Sequence, residues 1–153
     1  LHPGNPNPAA HPDLAAALAA GSGEPLNLRA FAPALRPEQL GDPAFRAAHG
    51  TRYAYVAGEM ANGIGSADIV EAMGKAGFLG FFGAAGLRVE KVRAAIDRIQ
   101  RNLGDKFPYG FNLIHSPNEP KLEAAVADLY MECKVRLISA AAYLGLTLPL
   151  VKY

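Results

Sequence analysis

The chain has 153 residues, of which 50% are hydrophobic and 19% are charged. This length fits one domain or part of a larger one, since domains usually have about 100 to 200 residues, and the composition excludes a wholly disordered chain. The 15 basic and 14 acidic side chains leave a net charge of +1, which gives no electrostatic support for binding nucleic acid or an anionic membrane.

Cysteine content, hydropathy and the first residues bear on the compartment of the protein and on whether the chain is part of a longer one. The single cysteine, Cys133, cannot build a disulfide framework or a multi-cysteine metal site, which favours the cytoplasm. The apolar run from Phe78 to Leu87 is far shorter than the roughly 20 residues that span a bilayer. Because the first residues include neither an initiator Met nor a basic signal region, we expect the chain to be cut out of something longer. Since the strands predicted below make up only half of a barrel, we expect it to be the N-terminal part of a longer polypeptide, or one of two associated pieces.

The N-terminal third of the chain is rich in proline, with eight of the 12 prolines before residue 44. Proline removes a backbone donor and disfavours helix in the residue before it. We therefore expect a linker or tail over residues 1–23, with one short helix from Asp13 to Ala20. Residues 24–50 are expected to form an irregular approach segment, with a turn of helix near Pro37 to Leu40.

Short apolar runs alternate with helical periodicity from residue 51 onward, which indicates repeated βα units. Each run is almost continuously apolar, as in parallel strands that are buried on both faces. The predicted strands are Tyr53 to Ala57, Phe78 to Phe82, Tyr109 to Ile114 and Val135 to Ala140.

Three helices are predicted between these strands, each with an apolar stripe that faces the core. The first follows Ser66 as its N-cap and buries Ile69, Met73 and Ala76. The second ends at Gly104 and buries Val89, Val92, Ile96, Ile99 and Leu103. The third buries Leu122, Val126, Leu129 and Cys133, and exposes Glu123, Asp128 and Glu132. Thr147 is expected to cap a fourth helix.

The spacing of the strands predicts the class of fold. Successive strands begin 25, 31 and 26 residues apart, so eight such units would take about 200 residues, close to a TIM (β/α)8 barrel of about 250. We therefore predict an α/β fold in which residues 51–153 form the N-terminal half of a TIM barrel, preceded by the proline-rich segment. A doubly wound open sheet stays an alternative, because periodicity alone does not distinguish the two.

A ligand site is expected at the carboxyl ends of the strands in either fold. Glycines at 58, 63 and 65 follow the first strand and would let main-chain groups approach a flat ligand, although they could also serve only tight turns. A dinucleotide-binding fingerprint is not matched, because Asp68 stands where its third glycine belongs.

Several polar side chains near these strand ends are candidates for chemistry. Asn112 lies toward the end of a strand that is otherwise predicted to be buried, so its amide needs partners, which a ligand or neighbouring backbone could supply. His115 could be a proton donor, a ligand contact or a loop cap. Glu59 has no evident carboxylate partner, so glycosidase chemistry has no support. Cys133, on an apolar stripe, is interpreted as a buried, inert thiol.

Three segments together carry a resemblance to a known family: Arg52 to Ile64, Gly80 to Leu87 and Tyr109 to Pro117. They resemble the PfaD-type enoyl reductases, trans-acting enzymes of polyunsaturated fatty acid synthases and trans-acyltransferase polyketide synthases. These are grouped with the nitronate monooxygenase (2-nitropropane dioxygenase-like) flavoproteins. The resemblance covers about residues 41–153.

The resemblance implies an FMN-dependent barrel that uses NADPH to reduce an enoyl thioester on an acyl carrier protein. The implied partners are this carrier, other components of the synthase and the rest of the barrel, and a homodimer stays open. In the family, the phosphate-binding loops and the usual catalytic histidine belong to the later half of the barrel. The residues expected to contact FMN are Ala57, Gly58, Glu59, Met60, Asn62, Gly83, Ala84 and Asn112.

Two other functions stay open at this point. One is nitronate oxidation by a related flavoprotein. The other is a non-catalytic barrel fragment that docks carrier proteins or synthase subunits.

Overall fold

The computed structural model describes residues 34–153. The linker expected over residues 1–23, its helix from Asp13 to Ala20 and the first part of the approach segment lie outside these residues.

The end of the approach segment is more regular than expected. A 3-10 turn at Pro37–Gln39 confirms the predicted turn, but the α-helix α1, Pro43–His49, corrects the expectation of an irregular segment. The side chain of Asp42 accepts a hydrogen bond from the Ala44 amide at 2.8 Å, and Pro43 occupies the first helical position. Proline is well tolerated there because its missing N–H would have no helical partner.

Four parallel strands form one sheet in the order β1-β2-β3-β4. This sequential order is that of a partial barrel, and residues 34–153 contain no switch point of a doubly wound sheet. The strands are β1 (Val56–Ala57), β2 (Leu79–Phe82), β3 (Tyr109–Ile114) and β4 (Ile138–Ala141).

The bounds of β3 are as predicted, whereas β1 and β4 begin three residues later than expected. Before β1, the amide of Tyr53 donates to the Gly77 carbonyl at 3.1 Å, so this part of the chain is held by the turn before β2. Before β4, the amide of Val135 still donates to the Tyr130 carbonyl at 2.9 Å. Val135 is buried without belonging to a strand, whereas Tyr53 is only partly buried and Tyr55 is 58% exposed.

Helix α3, Val89–Leu103, confirms its predicted stripe: Val92, Ile96, Ile99 and Leu103 are buried, and Val89 packs against them. Helix α5, Leu148–Lys152, begins directly after Thr147 as expected.

The stripe predicted for helix α2, Ala67–Lys75, is wrong by one residue. Val70 is fully buried, whereas Ile69 is 38% exposed. The helix lies close to β2, and a Cβ on Gly80 would be 3.0 Å from the Cα of Val70. Because Gly80 has no side chain, α2 can approach the sheet through Val70, and Ile69 turns away.

The stripe predicted for helix α4, Pro120–Glu132, is correct at Val126 and Leu129 but wrong at Glu123. This carboxylate is buried, with only 5% of the residue exposed. It accepts hydrogen bonds from four groups on two loops, which are described with the site below.

The core lies between the sheet and helices α2, α3 and α4. Phe82, Phe111 and Tyr130 belong to this core, and the rings of Phe82 and Tyr130 each lie 5.6 Å from that of Phe111. Because side chains alternate along a strand, Asn112 projects to the opposite face of β3. No helix within residues 34–153 is both long and apolar enough to cross a membrane.

Candidate functional site

The loops after β1 and β2 are joined by main-chain hydrogen bonds. The amide of Gly63 donates to the Gly83 carbonyl at 2.9 Å, and that of Asn62 donates to the Ala85 carbonyl at 2.8 Å. The amide of Gly83 donates to the Gly65 carbonyl, also at 2.9 Å. These bonds fix the distance between the two loops without help from side chains.

Gly83 is required by this close approach. A Cβ at Gly83 would lie 1.7 Å from the Met60 carbonyl oxygen, which no side chain could tolerate. The situation at Gly58 is different, because a Cβ there would meet no atom within 4 Å. The main chain beside Gly58 therefore borders open space. Gly83, in contrast, packs directly against the main chain of Met60 in the loop after β1.

Asn112 is almost fully buried, and its amide is oriented by two acceptors. Its Nδ2 donates to Oε1 of Glu59 at 3.1 Å and to the Ser139 carbonyl at 3.3 Å. Among the described residues, no donor reaches its Oδ1. The amide oxygen therefore stays available to accept a hydrogen bond from a ligand N–H group.

Ser139 completes a cluster that joins three strands. Its hydroxyl donates to the same Oε1 of Glu59 at 2.7 Å. Asn112 and Ser139 are register partners on β3 and β4, while Glu59 follows β1. Sequence reasoning missed Ser139, although a lone hydroxyl within the predicted strand Val135 to Ala140 is a signal that could have drawn attention to it.

The other expected cofactor residues lie at the end of β1 and in the loops after β1 and β2. Ala57 ends β1, and Met60 follows Glu59 with 46% of the residue exposed. Asn62 has a left-handed backbone, with φ 56°, in the loop held against β2. The side chain of Ala84 is buried in the core, so this residue can offer only its main chain to a ligand.

A second polar cluster surrounds the buried Glu123. Its Oε2 lies 3.0 Å from Nδ1 of His115 and accepts the Ser116 amide at 2.8 Å. Its Oε1 accepts the hydroxyls of Tyr143 at 3.0 Å and Thr147 at 3.3 Å. The carboxylate thereby ties the loops after β3 and β4 to helix α4.

These donors also determine the charge of Glu123. Burial alone would raise the pKa of its carboxyl, but the Ser116 amide, the Tyr143 hydroxyl and His115 together lower the pKa below its usual value. Glu123 is therefore ionised at neutral pH. The pKa of Tyr143 is raised, first by burial and then by its hydrogen bond to this carboxylate.

Cys133 is half-buried at the end of α4, and burial is the main cause that raises the pKa of its thiol. Within the described part of the chain, no three His, Cys, Asp or Glu side chains come together as a metal site.

Comparison with known proteins relates the chain to polyketide and polyunsaturated fatty acid synthesis. It is 44% identical over 123 residues to the polyketide biosynthesis protein ThaF of Burkholderia thailandensis. It is 45% identical over 114 residues to a polyunsaturated fatty acid synthase subunit of Thraustochytrium sp., and 39% identical over 116 residues to the polyketide biosynthesis protein PksE of Bacillus subtilis. These alignments cover 80%, 74% and 76% of the chain, but only 10%, 8% and 15% of the respective relatives.

A solved structure supports the same relationship. The chain matches the enoyl reductase domain of MlnA, from the macrolactin biosynthesis cluster of Bacillus amyloliquefaciens, with a TM-score of 0.70 and 41% identity. The match covers 73% of the chain and 26% of that structure. No protein-family model matches the chain.

Proposed function

We propose that residues 51–153 are the first four βα units of an FMN-binding TIM barrel that works as an enoyl reductase. The enzyme would use NADPH to reduce an enoyl thioester carried by an acyl carrier protein, in polyunsaturated fatty acid or polyketide biosynthesis. The observation that carries this proposal is the cluster of Glu59, Asn112 and Ser139 at the carboxyl ends of the strands. The similarity to an enoyl reductase domain, at 41% identity, supports the reaction class.

The residues at the strand ends fit a flat, hydrogen-bonding ring. Open space beside Gly58 allows close approach to the main chain of residues 57–60, which can offer N–H and C=O groups. Asn112 presents an amide oxygen as an acceptor, and FMN carries a ring N–H group that such an oxygen can accept. Gly83 keeps the loop that bears Met60 close to β2.

FMN would supply the hydride chemistry, and the protein would supply binding and orientation. Glu59 and the Ser139 carbonyl hold the amide of Asn112 so that its oxygen keeps one direction. The main-chain bonds between the loops after β1 and β2 hold the other side of the site. A site with these fixed groups loses little entropy when the ring and the substrate are aligned for reaction.

The proposal is tested with the full polypeptide that contains this segment. We expect the purified protein to show flavin absorbance, at least after FMN is added, and to consume NADPH when it is given an enoyl thioester. Oxygen consumption with a nitronate, without NADPH oxidation on the thioester, would contradict the reductase and favour a nitronate oxidase. A protein that stays colourless after FMN addition would contradict both flavin enzymes and favour a docking role.

A further inference from the structure

Glu59 differs in its surroundings from the other acidic side chains of residues 34–153. It is half-buried at the carboxyl end of the sheet, and no Lys, Arg or His side chain in this part of the protein lies within 4.0 Å of its carboxylate. The other acids that are at least half-buried, Glu38, Glu71 and Glu123, each pair with an Arg or His side chain. The remaining unpaired acids of these residues are all exposed: Asp42, Glu90, Asp97 and Glu119.

The contacts of Glu59 come from two neutral donors on neighbouring strands. The side-chain Nδ2 of Asn112, at 3.1 Å, and the hydroxyl of Ser139, at 2.7 Å, both donate to Oε1. Two donors on one oxygen suit an ionised carboxyl group, because that group can only accept. Within residues 34–153 no hydrogen-bond donor reaches Oε2. These contacts hold the carboxylate in place without cancelling its charge.

The same contacts bring this charge beside the surface proposed for the flavin ring. Asn112 binds Glu59 through its amide nitrogen, and the oxygen of that amide is the acceptor offered to FMN. A group bound by this oxygen is therefore one amide away from the carboxylate. Glu59 also directly follows Gly58, whose main chain borders open space. The carboxylate thus lies next to the proposed ring position both along the chain and across the sheet.

A fixed negative charge favours one redox state of a bound flavin over the other. Hydride transfer to the ring adds one unit of negative charge, so a nearby carboxylate disfavours the reduced state more than the oxidised state. Two unit charges about 4 Å apart change an equilibrium roughly fivefold in bulk water, and by more where protein replaces part of the water. Charge beside the ring is one of the means by which a protein tunes its cofactor.

We propose that Glu59 lowers the reduction potential of the bound FMN and thereby makes the reduced flavin a stronger hydride donor to the enoyl thioester. The proposal rests on the proposed enoyl reductase function. NADPH transfers a hydride to the flavin and leaves as NADP⁺. The flavin passes a hydride to the β-carbon of the thioester, and the α-carbon takes a proton that originates in water. The charge of Glu59 favours the second hydride transfer at the expense of the first.

The direct test is the midpoint potential of FMN bound to the full polypeptide, measured at one pH against a reference dye. Glu59→Gln removes the charge but keeps an oxygen that Asn112 and Ser139 can reach. We expect the equilibrium to shift toward reduced flavin by about tenfold or more, which is a positive shift of about 30 mV or more for a two-electron couple. An unchanged or more negative potential would overturn the proposal. The control Asp97→Asn removes the same charge from an exposed position of α3 and should keep the wild-type potential.

A second variant separates the charge of Glu59 from its hydrogen bonds. Glu59→Asp keeps the charge but shortens the side chain by one methylene, which weakens the contacts with Asn112 and Ser139. We expect its potential to stay closer to the wild-type value than that of Glu59→Gln. If the two variants shift the potential equally, the hydrogen bonds rather than the charge set it, and the proposal is wrong.

The test does not depend on tight flavin binding by the variants. For a variant that retains FMN poorly, the ratio of the Kd values for oxidised and reduced FMN gives the same shift in potential. Glu59→Ala, which also lacks the charge, is measured in this way if Glu59→Gln does not fold, and it should favour reduced FMN relative to the wild type. A Kd ratio equal to that of the wild type would overturn the proposal.

The two half-reactions provide a signature that a purely structural role of Glu59 would not produce. In rapid-mixing experiments, we expect Glu59→Gln to be reduced by NADPH at least as fast as the wild type and to be reoxidised by the enoyl thioester more slowly. Slowing of both steps would indicate misplaced flavin and contradict the proposal. A wild-type protein that neither binds FMN nor reduces the thioester would overturn the proposed function itself, whereas an active wild type with an unchanged potential in Glu59→Gln overturns only the role of Glu59.

Discussion

The contacts of Asn112 within the protein engage its amide nitrogen and leave its amide oxygen as the group it can offer to a ligand. Both of its amide hydrogens face protein acceptors, Glu59 and the Ser139 carbonyl. The same contacts that orient it for binding also satisfy a buried polar group. Its replacement therefore affects both binding and stability, and a useful experiment must separate the two.

We expect Asn112→Ala to weaken FMN retention by about tenfold, which corresponds to the loss of about 1.4 kcal/mol from one oriented hydrogen bond. The measurement is the flavin-to-protein ratio after dialysis, followed by a titration with FMN. Asn118→Ala, at an exposed position before α4, is the matched control and should keep the wild-type ratio. Unchanged flavin retention in the Asn112 variant would remove this residue from the site.

Gly83 gives a second prediction at the scale of one residue. Gly83→Ala would place a Cβ 1.7 Å from the Met60 carbonyl oxygen, so the loop after β1 must move. We expect a loss of about 1–3 kcal/mol in stability, with impaired flavin binding as the loop that bears Met60 shifts. Thermal unfolding and the FMN titration check this.

Gly145→Ala is the control for the Gly83 variant, because a Cβ at Gly145 would meet no atom within 4 Å. If the two alanine variants retain flavin equally well, the close approach of the loops after β1 and β2 does not support the site.

Helix α3 is an element whose buried face follows directly from its sequence pattern. Its stripe was predictable because its apolar residues recur at spacings of three and four along a 15-residue helix. We expect Ile96→Ala, at a fully buried position, to lose about 2–5 kcal/mol because it leaves a cavity against the sheet.

Hydrogen exchange of peptides from residues 89–103 provides the measurement for Ile96→Ala in the full polypeptide. Faster exchange in these peptides is expected, whereas Ala94→Ser, at an exposed position of the same helix, should change it little. Equal exchange in the two variants would show that α3 does not depend on this contact.

Other elements were less predictable for identifiable reasons. Tyr53 and Val135 are apolar neighbours of strands, but hydrogen bonds to Gly77 and Tyr130 keep them out of the sheet. The face of α2 depends on Gly80 of a different element. Burial of Glu123 could have been predicted from its spacing of three and four to Val126 and Ala127, which are both buried, but its charge argued for exposure.

At the site, too, the sequence pattern indicates individual residues but not the contacts between them. Glu59 and Asn112 could be selected separately from the sequence, because both lie at predicted strand ends. Their pairing, and the part played by Ser139, depend on the register between β3 and β4. Sequence periodicity identifies strands but does not determine which residues face one another across the sheet.

The charges of the molecule as a whole differ widely in their effect on stability. The Arg93–Glu132 pair is exposed and linked at 2.7 Å, and exposed ion pairs usually contribute little. Glu123 is buried and connects α4 with the loops after β3 and β4. A single buried carboxylate is therefore expected to dominate the acid sensitivity of this part of the fold.

The sign of this acid sensitivity follows from the direction of the pKa shift. The folded-state pKa of Glu123 is lowered from its ordinary value of 4.5, so its stabilising contribution is present above that value. The contribution is lost as the pH falls through 4.5 toward the lower folded-state pKa.

We expect Glu123→Gln to be less stable than the wild type at neutral pH and to lose less stability on acidification. Hydrogen exchange of peptides from residues 115–132 and 143–150 over a pH series, corrected for intrinsic exchange, tests this. The control Glu132→Gln, at an exposed position of the same helix, should keep the wild-type slope, and a Glu123 variant with that same slope would contradict the prediction.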